Sequence, residues 1–130
     1  MSRFAASSTR TLVADPRALV EALPDGCFRY RRPAGAAVFG VGRCSVRGNQ
    51  VALDEAAQAL RGELAARAGI EADAVRVVRL SRISMADGLL RMLLLTSVPG
   101  DAVLIACSTD AAAQTVRSML SAWAIGRAAA

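Results

Sequence analysis

The chain has 130 residues, enough for one domain with an ordinary hydrophobic core. It contains no histidine, and all 16 basic residues are arginine, which excludes histidine metal ligands, histidine-dependent nucleophiles and lysine Schiff-base chemistry. The net charge is only +5, and arginine is interspersed with acidic residues along most of the chain. Charge alone therefore gives little reason to expect a polyanionic partner.

Residues 1–14 are mostly small and polar, and we expect them to form a flexible N-terminal arm. They lack the apolar stretch of a signal peptide. The cysteines at 27, 44 and 107 have no metal-ligand spacing, and their odd number argues against a disulfide framework. The most apolar run, residues 89–95, is too short to span a bilayer and contains an arginine. These features predict a cytoplasmic protein with no membrane partner.

The first half of the domain reads as a helix, two strands and a second helix. Residues 15–23 begin with an Asp-Pro pair suited to a helix start, and a Pro-Asp-Gly sequence ends that helix. Aromatic and basic residues alternate over 28–31, which is typical of a half-exposed strand. A more buried strand is predicted over 36–42, where two glycines suggest a bend or close backbone packing. The clearest helix covers residues 53–68, because leucine recurs at helical spacing and Gly69 follows as a C-terminal cap.

The second half reads as three strands and a helix. Alternating residues predict a strand over 75–83, and an Asp-Gly hairpin turn precedes a nearly continuous apolar strand over 89–98. A turn leads to a buried strand over 102–107, and a final helix runs from Thr109 or Asp110 to about residue 125. We expect residues 126–130 to fray. The order α-β-β-α-β-β-β-α predicts an α+β domain over residues 15–125, with a single antiparallel sheet of about five strands and three helices.

This element order resembles the roadblock/LC7 family, with its profilin-like sheet. The resemblance covers roughly residues 15–125 and rests on the domain length and on a meander from Val75 to Cys107 followed by a C-terminal helix. It implies a homodimeric, non-enzymatic module that regulates a small GTPase or scaffolds a regulatory complex, and it supplies no catalytic residue. Type III secretion chaperones are a second family that the order resembles, and they would hold an extended client across the sheet.

An aromatic-basic strand over residues 28–32 is the most distinctive local feature. Its guanidiniums could contact phosphates and Tyr30 could stack on a base, so an Arg-driven nucleic-acid-binding module is an alternative function. Alternation places rings and guanidiniums on opposite faces, which favours an ordinary amphipathic strand. For the arginines of the 75–83 strand, acidic protein partners are at least as plausible as nucleic acid. The candidate interaction surface comprises Arg29, Tyr30, Arg31, Arg32, Arg43, Arg47, Arg76, Arg79 and Arg82.

Catalytic and cofactor motifs are not predicted. The Gly-Val-Gly sequence at 40–42 lacks the third glycine and the following helix of a dinucleotide-binding loop. The carboxylate pairs Asp54/Glu55 and Glu71/Asp73 lie at helix ends, where capping explains them. We therefore expect no catalytic residue, no cofactor and no metal.

A homodimer is predicted from the last helix. In so small a domain, Met119 and Trp123 on that helix could leave an apolar strip uncovered, and such strips are commonly buried between two copies. The sequence thus favours a non-enzymatic regulatory or scaffolding module that acts through protein contacts. A nucleic-acid-binding module is the alternative, and a secretion-type chaperone is a further one.

Overall fold

The computed structural model describes residues 19–128, and the side chains there except those of residues 25 and 125–128. The predicted N-terminal arm lies outside the described residues. Strands and helices alternate after an initial run of four strands. In chain order they are β1 (Val20–Ala22), β2 (Phe28–Arg32), β3 (Gly35–Arg47), β4 (Gln50–Leu53), α1 (Glu55–Ala68), β5 (Arg76–Leu80), α2 (Ala86–Thr96), β6 (Ala102–Cys107) and α3 (Asp110–Ala128).

The sheet is organised around the long strand β3. The first part of β3 pairs antiparallel with β2, and its middle pairs parallel with β6. Its last four residues pair antiparallel with β4, so the strand order is β1-β2-β3-β6-β5 with β4 beside the end of β3. The α+β class is confirmed. The prediction of an antiparallel sheet is wrong, because β3, β6 and β5 are mutually parallel.

The predicted strand over 89–98 is instead helix α2, and the predicted Asp-Gly hairpin turn is its first turn. Its apolar run contains a helical period, since Ala86, Leu90, Leu93 and Leu94 are buried while the residues between them are largely exposed. A connection between parallel neighbours must cross over the sheet, and such crossovers are usually helical. Helix α2 supplies that connection from β5 to β6, so the expected meander is a β-α-β unit.

The predicted first helix is wrong where the structure describes it. Residues 20–22 form β1, which pairs antiparallel with β2 and places Val20 opposite Tyr30. Val20 is 1% exposed, so the pairing buries it in the core. Residues 15–18, with the proposed cap, lie outside the described residues. Strand pairing here overrides a short local helix signal, as tertiary context commonly does.

Helix α1 covers one face of the sheet and confirms the predicted helix, although it begins at Glu55, because Leu53 ends β4 and Asp54 caps the helix. The Asp54 carboxylate accepts a hydrogen bond from the Ala57 amide at 2.7 Å, and Gly69 ends the helix with φ 70°. A Cβ on Gly42 would lie 2.8 Å from the Ala57 Cβ, and one on Gly40 would lie 2.9 Å from Leu60 Cδ2. The two glycines therefore allow α1 to pack close to β3, as the sequence suggested.

Helices α2 and α3 cover the opposite face, which carries the larger core. Phe39 and Ile105 from the sheet pack there with Leu90 of α2 and with Leu120 and Trp123 of α3. The prediction of α3 is confirmed, and the Thr109 hydroxyl accepts a hydrogen bond from the Ala112 amide at 3.1 Å. The helix continues to residue 128, beyond the predicted end near 125. Residues 129–130 lie outside the described range.

Candidate functional site

Arg29 and Arg31 share one acidic partner. Both guanidiniums pair with Glu21 on β1, at 3.3 and 3.2 Å. They lie on the face of β2 opposite Phe28 and Tyr30, as the alternation predicts. Glu21 offsets part of their charge, so this edge of the sheet is a mixed ionic cluster.

Tyr30 packs in the core, and Arg32 contacts the end of helix α2. The Tyr30 side chain lies in the main core and is 4% exposed, which leaves no ring face for a base to stack on. The Arg32 guanidinium lies 4.9 Å from the Tyr30 ring centroid and donates hydrogen bonds to the carbonyls of Leu94 and Leu95. A cation at the last carbonyls of a helix favourably offsets the helix dipole, so Arg32 caps α2.

Arg43 and Arg76 also have structural partners. The Arg43 guanidinium pairs with Asp110 at the start of α3 and donates to the Ser108 carbonyl at 3.2 Å. Arg76 lies 3.9 Å from Asp101, next to the start of β6. Arg43 thus links β3 to the start of α3, and Arg76 links β5 to the residue before β6.

Three of the predicted arginines, Arg47, Arg79 and Arg82, make no hydrogen bond or ion pair within residues 19–128. Arg79 lines a cleft of about 400 Å³ between the β3–β4 hairpin, α1 and β5. Arg47 ends β3, and Arg82 follows β5. The structure brings Arg29 and Arg31 together at Glu21, but the nine predicted residues do not share one surface.

Burial keeps the thiols of Cys44 and Cys107 in their neutral form. All three cysteines are buried. Burial raises the pKa of Cys107 to about 11, with a further contribution from nearby Cys44, and burial also raises the pKa of Cys44. A nucleophilic cysteine requires a lowered pKa, so Cys44 and Cys107 are suited to packing and not to catalysis.

An exposed apolar surface surrounds α2. The described residues include seven exposed large hydrophobic side chains, and five of them lie between residues 83 and 98. These five are 42–56% exposed, although Leu and Met are usually among the more buried residue types. We call them the α2 surface: Ile83, Met85, Met92, Leu95 and Val98.

Met92 and Leu95 are the members of the α2 surface that belong to the helix itself. Gly88, Met92 and Leu95 recur at i, i+4 and i+7, on the side of α2 opposite the buried residues. Asp87 and Arg91 flank this line and form an ion pair at 2.9 Å. Sequence reasoning missed the surface because it assigned the segment to a strand. The signal was present in the helical spacing of the buried Leu90, Leu93 and Leu94.

The apolar strip that was predicted on α3 is covered. Trp123 is 8% exposed within the main core, and Met119 packs against the same core while partly buried. Both side chains already pack against the core of their own copy. Among the described side chains, the exposed apolar strip therefore lies on α2.

Across residues 19–128, the model contains no helix both long and apolar enough to cross a membrane. The same residues contain no group of three or more cysteine or acidic side chains placed to hold a metal ion. Comparisons with protein-family models, with curated proteins and with solved structures find no match to this chain.

Proposed function

We propose that this protein is a non-enzymatic regulatory or scaffolding module that acts through protein contacts as a homodimer. The observation that carries the proposal is the α2 surface, where five large apolar side chains are exposed within sixteen residues. Clustered exposed apolar side chains mark contact surfaces in folded proteins. Burying the exposed half of one Met or Leu side chain contributes about 1 kcal/mol. An interface built around one short helix is small, so we expect a dimer that dissociates in the micromolar range.

The alternatives have less support. The resemblance that would make a small GTPase the partner depended on a meander where the chain has the β5–α2–β6 unit, so the proposal does not specify a GTPase. Nucleic-acid binding would need the basic side chains on one surface, whereas Glu21, Asp110 and Asp101 pair with four of them. A chaperone would need an open sheet face for its client, whereas helices pack on both faces of the described sheet. Cys44 and Cys107 are buried as free thiols, which favours a reducing compartment, so we propose the cytoplasm as the location.

Sedimentation velocity from micromolar to hundreds of micromolar protein tests the proposal. We expect a monomer–dimer equilibrium that Met92→Glu shifts to monomer at all concentrations, with the thermal unfolding of the monomer unchanged. Ala56→Glu is the matched control, because Ala56 is exposed in the first turn of α1, where a negative charge suits the helix dipole. That variant should dimerise like the parent chain. A parent chain that stays monomeric at the highest concentration would overturn the proposal.

A further inference from the structure

We infer that the second copy docks antiparallel on α2, around a two-fold axis near residue 90, with Asp87 of each copy paired to Arg91 of the other. The inference rests on the proposed homodimer and specifies its geometry. Three features of α2 support it: a charged flank, a glycine one turn from a methionine, and the spacing of the apolar side chains.

The charged flank makes α2 complementary to itself. Asp87 and Arg91 lie one turn apart on the flank of α2 that borders α3, where the Arg91 guanidinium lies 6.0 Å from the Trp123 ring centroid. A two-fold axis perpendicular to both helices brings this flank of each copy to the same side of the interface. Asp87 then faces Arg91 of the other copy, and Arg91 faces its Asp87. A parallel two-fold arrangement would instead place this flank of the two copies on opposite sides of the interface, where Asp87 and Arg91 could not pair between copies.

The glycine and the methionine fit the same axis. Gly88 is a helical residue on the outward face, and a Cβ added to it would meet nothing within 4 Å. Met92 lies one turn further along the same line and is 50% exposed. An antiparallel pair centred on residue 90 places Met92 of one copy over Gly88 of the other, where the missing side chain leaves room for it.

Different residue pairs agree on where the axis lies. Gly88 with Met92 and Met85 with Leu95 are each symmetric about residue 90, and Asp87 with Arg91 about residue 89. A difference of one residue shifts the axis by about 1.5 Å and so offsets Asp87 from Arg91 of the other copy by about 3 Å along the helix, which a long arginine side chain accommodates. An exposed glycine alone would mean little, because Gly62 of α1 also has open space around it. The agreement of charge, glycine and apolar spacing favours a second copy of this chain as the partner.

A charge-exchange experiment tests this geometry. Asp87→Arg gives a helix with two arginines on the flank, and Arg91→Asp gives a helix with two acidic residues. Each variant alone should dissociate at least about tenfold more readily than the parent chain, since like charges face each other twice. An equimolar mixture should recover a dimer of parental affinity, measured by sedimentation velocity at low and at physiological salt. Native mass spectrometry should identify that dimer as the heterodimer.

The control and the possible results separate this inference from the proposed function. Glu63→Arg breaks the equivalent i,i+4 ion pair with Arg67 on α1 and should leave dimerisation unchanged. A parent chain that is monomeric throughout would overturn both the homodimer and its geometry. Variants that dimerise like the parent chain would overturn the geometry and leave the homodimer standing. Weakened variants whose mixture does not recover would overturn the antiparallel arrangement.

Discussion

Helices α1 and α2 cover opposite faces of one sheet, yet only α2 leaves large apolar side chains exposed. The exposed residues of α1 are small or polar: Glu55, Ala56, Gln58, Ala59, Gly62 and Ala66. The exposed residues of α2 include Met92 and Leu95. Both helices bury an apolar face against the sheet, so the folded monomer gains stability from each. Under the proposed homodimer, α1 makes its contacts within one copy of the chain, whereas the exposed apolar side chains of α2 contact a second copy.

The two helices also differ in what defines their ends. Helix α1 is capped by neighbours in the sequence, Asp54 and Gly69. Helix α2 has no side-chain cap at its start, and its carbonyl end receives Arg32 from β2, 62 residues before Leu94. Local sequence therefore delimits α1, while the end of α2 combines local hydrogen bonds from Thr96 and Ser97 with the contact from Arg32.

The largest expected effect is on the packing of α1. Gly42→Ala should destabilise the protein by about 2–3 kcal/mol, because the new Cβ would lie 2.8 Å from the Ala57 Cβ and 3.3 Å from its Cα. Gly40→Ala should be milder, since its nearest neighbour is the flexible end of Leu60. Urea unfolding of the two variants gives the comparison. Equal, small losses would mean that α1 does not pack as closely on β3 as described.

On the α2 side of the sheet, the buried Cys107 thiol should make stability depend on alkaline pH. The unfolded thiol begins to ionise near its usual pKa of 9, whereas the folded pKa is about 11. Deprotonation therefore favours the unfolded state, and stability should fall by about 2 kcal/mol as the pH rises from 9 to 11. Urea unfolding across this range measures the slope, and Cys107→Ala should flatten it. An equally steep slope in the variant would assign the effect to another group.

Arg32 tests whether α2 depends on tertiary capping. Arg32→Gln should cost about 1–2 kcal/mol, because it removes charge-assisted hydrogen bonds to the last carbonyls of α2. Arg47→Gln is the control, since Arg47 has no hydrogen-bonding or ionic partner among the described residues and should change stability by less than about 0.5 kcal/mol. Both are measured by urea unfolding in the Met92→Glu background. Equal effects would show that the cap contributes nothing.

Alanine substitutions of one glycine on α1 and one on α2 have the smallest effects on stability, and they compare the outward faces of the two helices directly. Gly62→Ala and Gly88→Ala should each stabilise the monomer by about 0.5–1 kcal/mol, because alanine favours a helix interior and both sites have open space. Only Gly88→Ala should weaken the dimer, since its methyl group would occupy the space proposed for Met92 of the other copy. Thermal unfolding in the Met92→Glu background measures the first effect. Sedimentation in the parent background measures the second, and equal dimerisation of the two variants would contradict the proposed contact.

Much of the candidate site could not be read from the sequence, for reasons visible in particular residues. The alternation over 28–32 placed Tyr30 inside and Arg29 outside correctly, because a strand has a period of two wherever it pairs. Nothing in that pattern shows that Arg32 reaches α2 or that Arg43 reaches Asp110, since these contacts join segments more than 60 residues apart. The apolar surface was missed for a related reason. Its residues become neighbours only if residues 86–96 are helical.

Local sequence patterns predict α1, α3, the strands β2, β3, β5 and β6, and the α+β class. Caps and hydrophobic periods act within a few residues, so they can be read locally. Tertiary structure decided that residues 20–22 pair as a strand, that residues 86–96 form a helix, and that β3, β6 and β5 run parallel. It also decided which apolar residues stay exposed. A continuous apolar run is compatible with the helical period of 3.6 residues and with the strand period of two. Which of them forms depends on the strands and helices that the segment packs against.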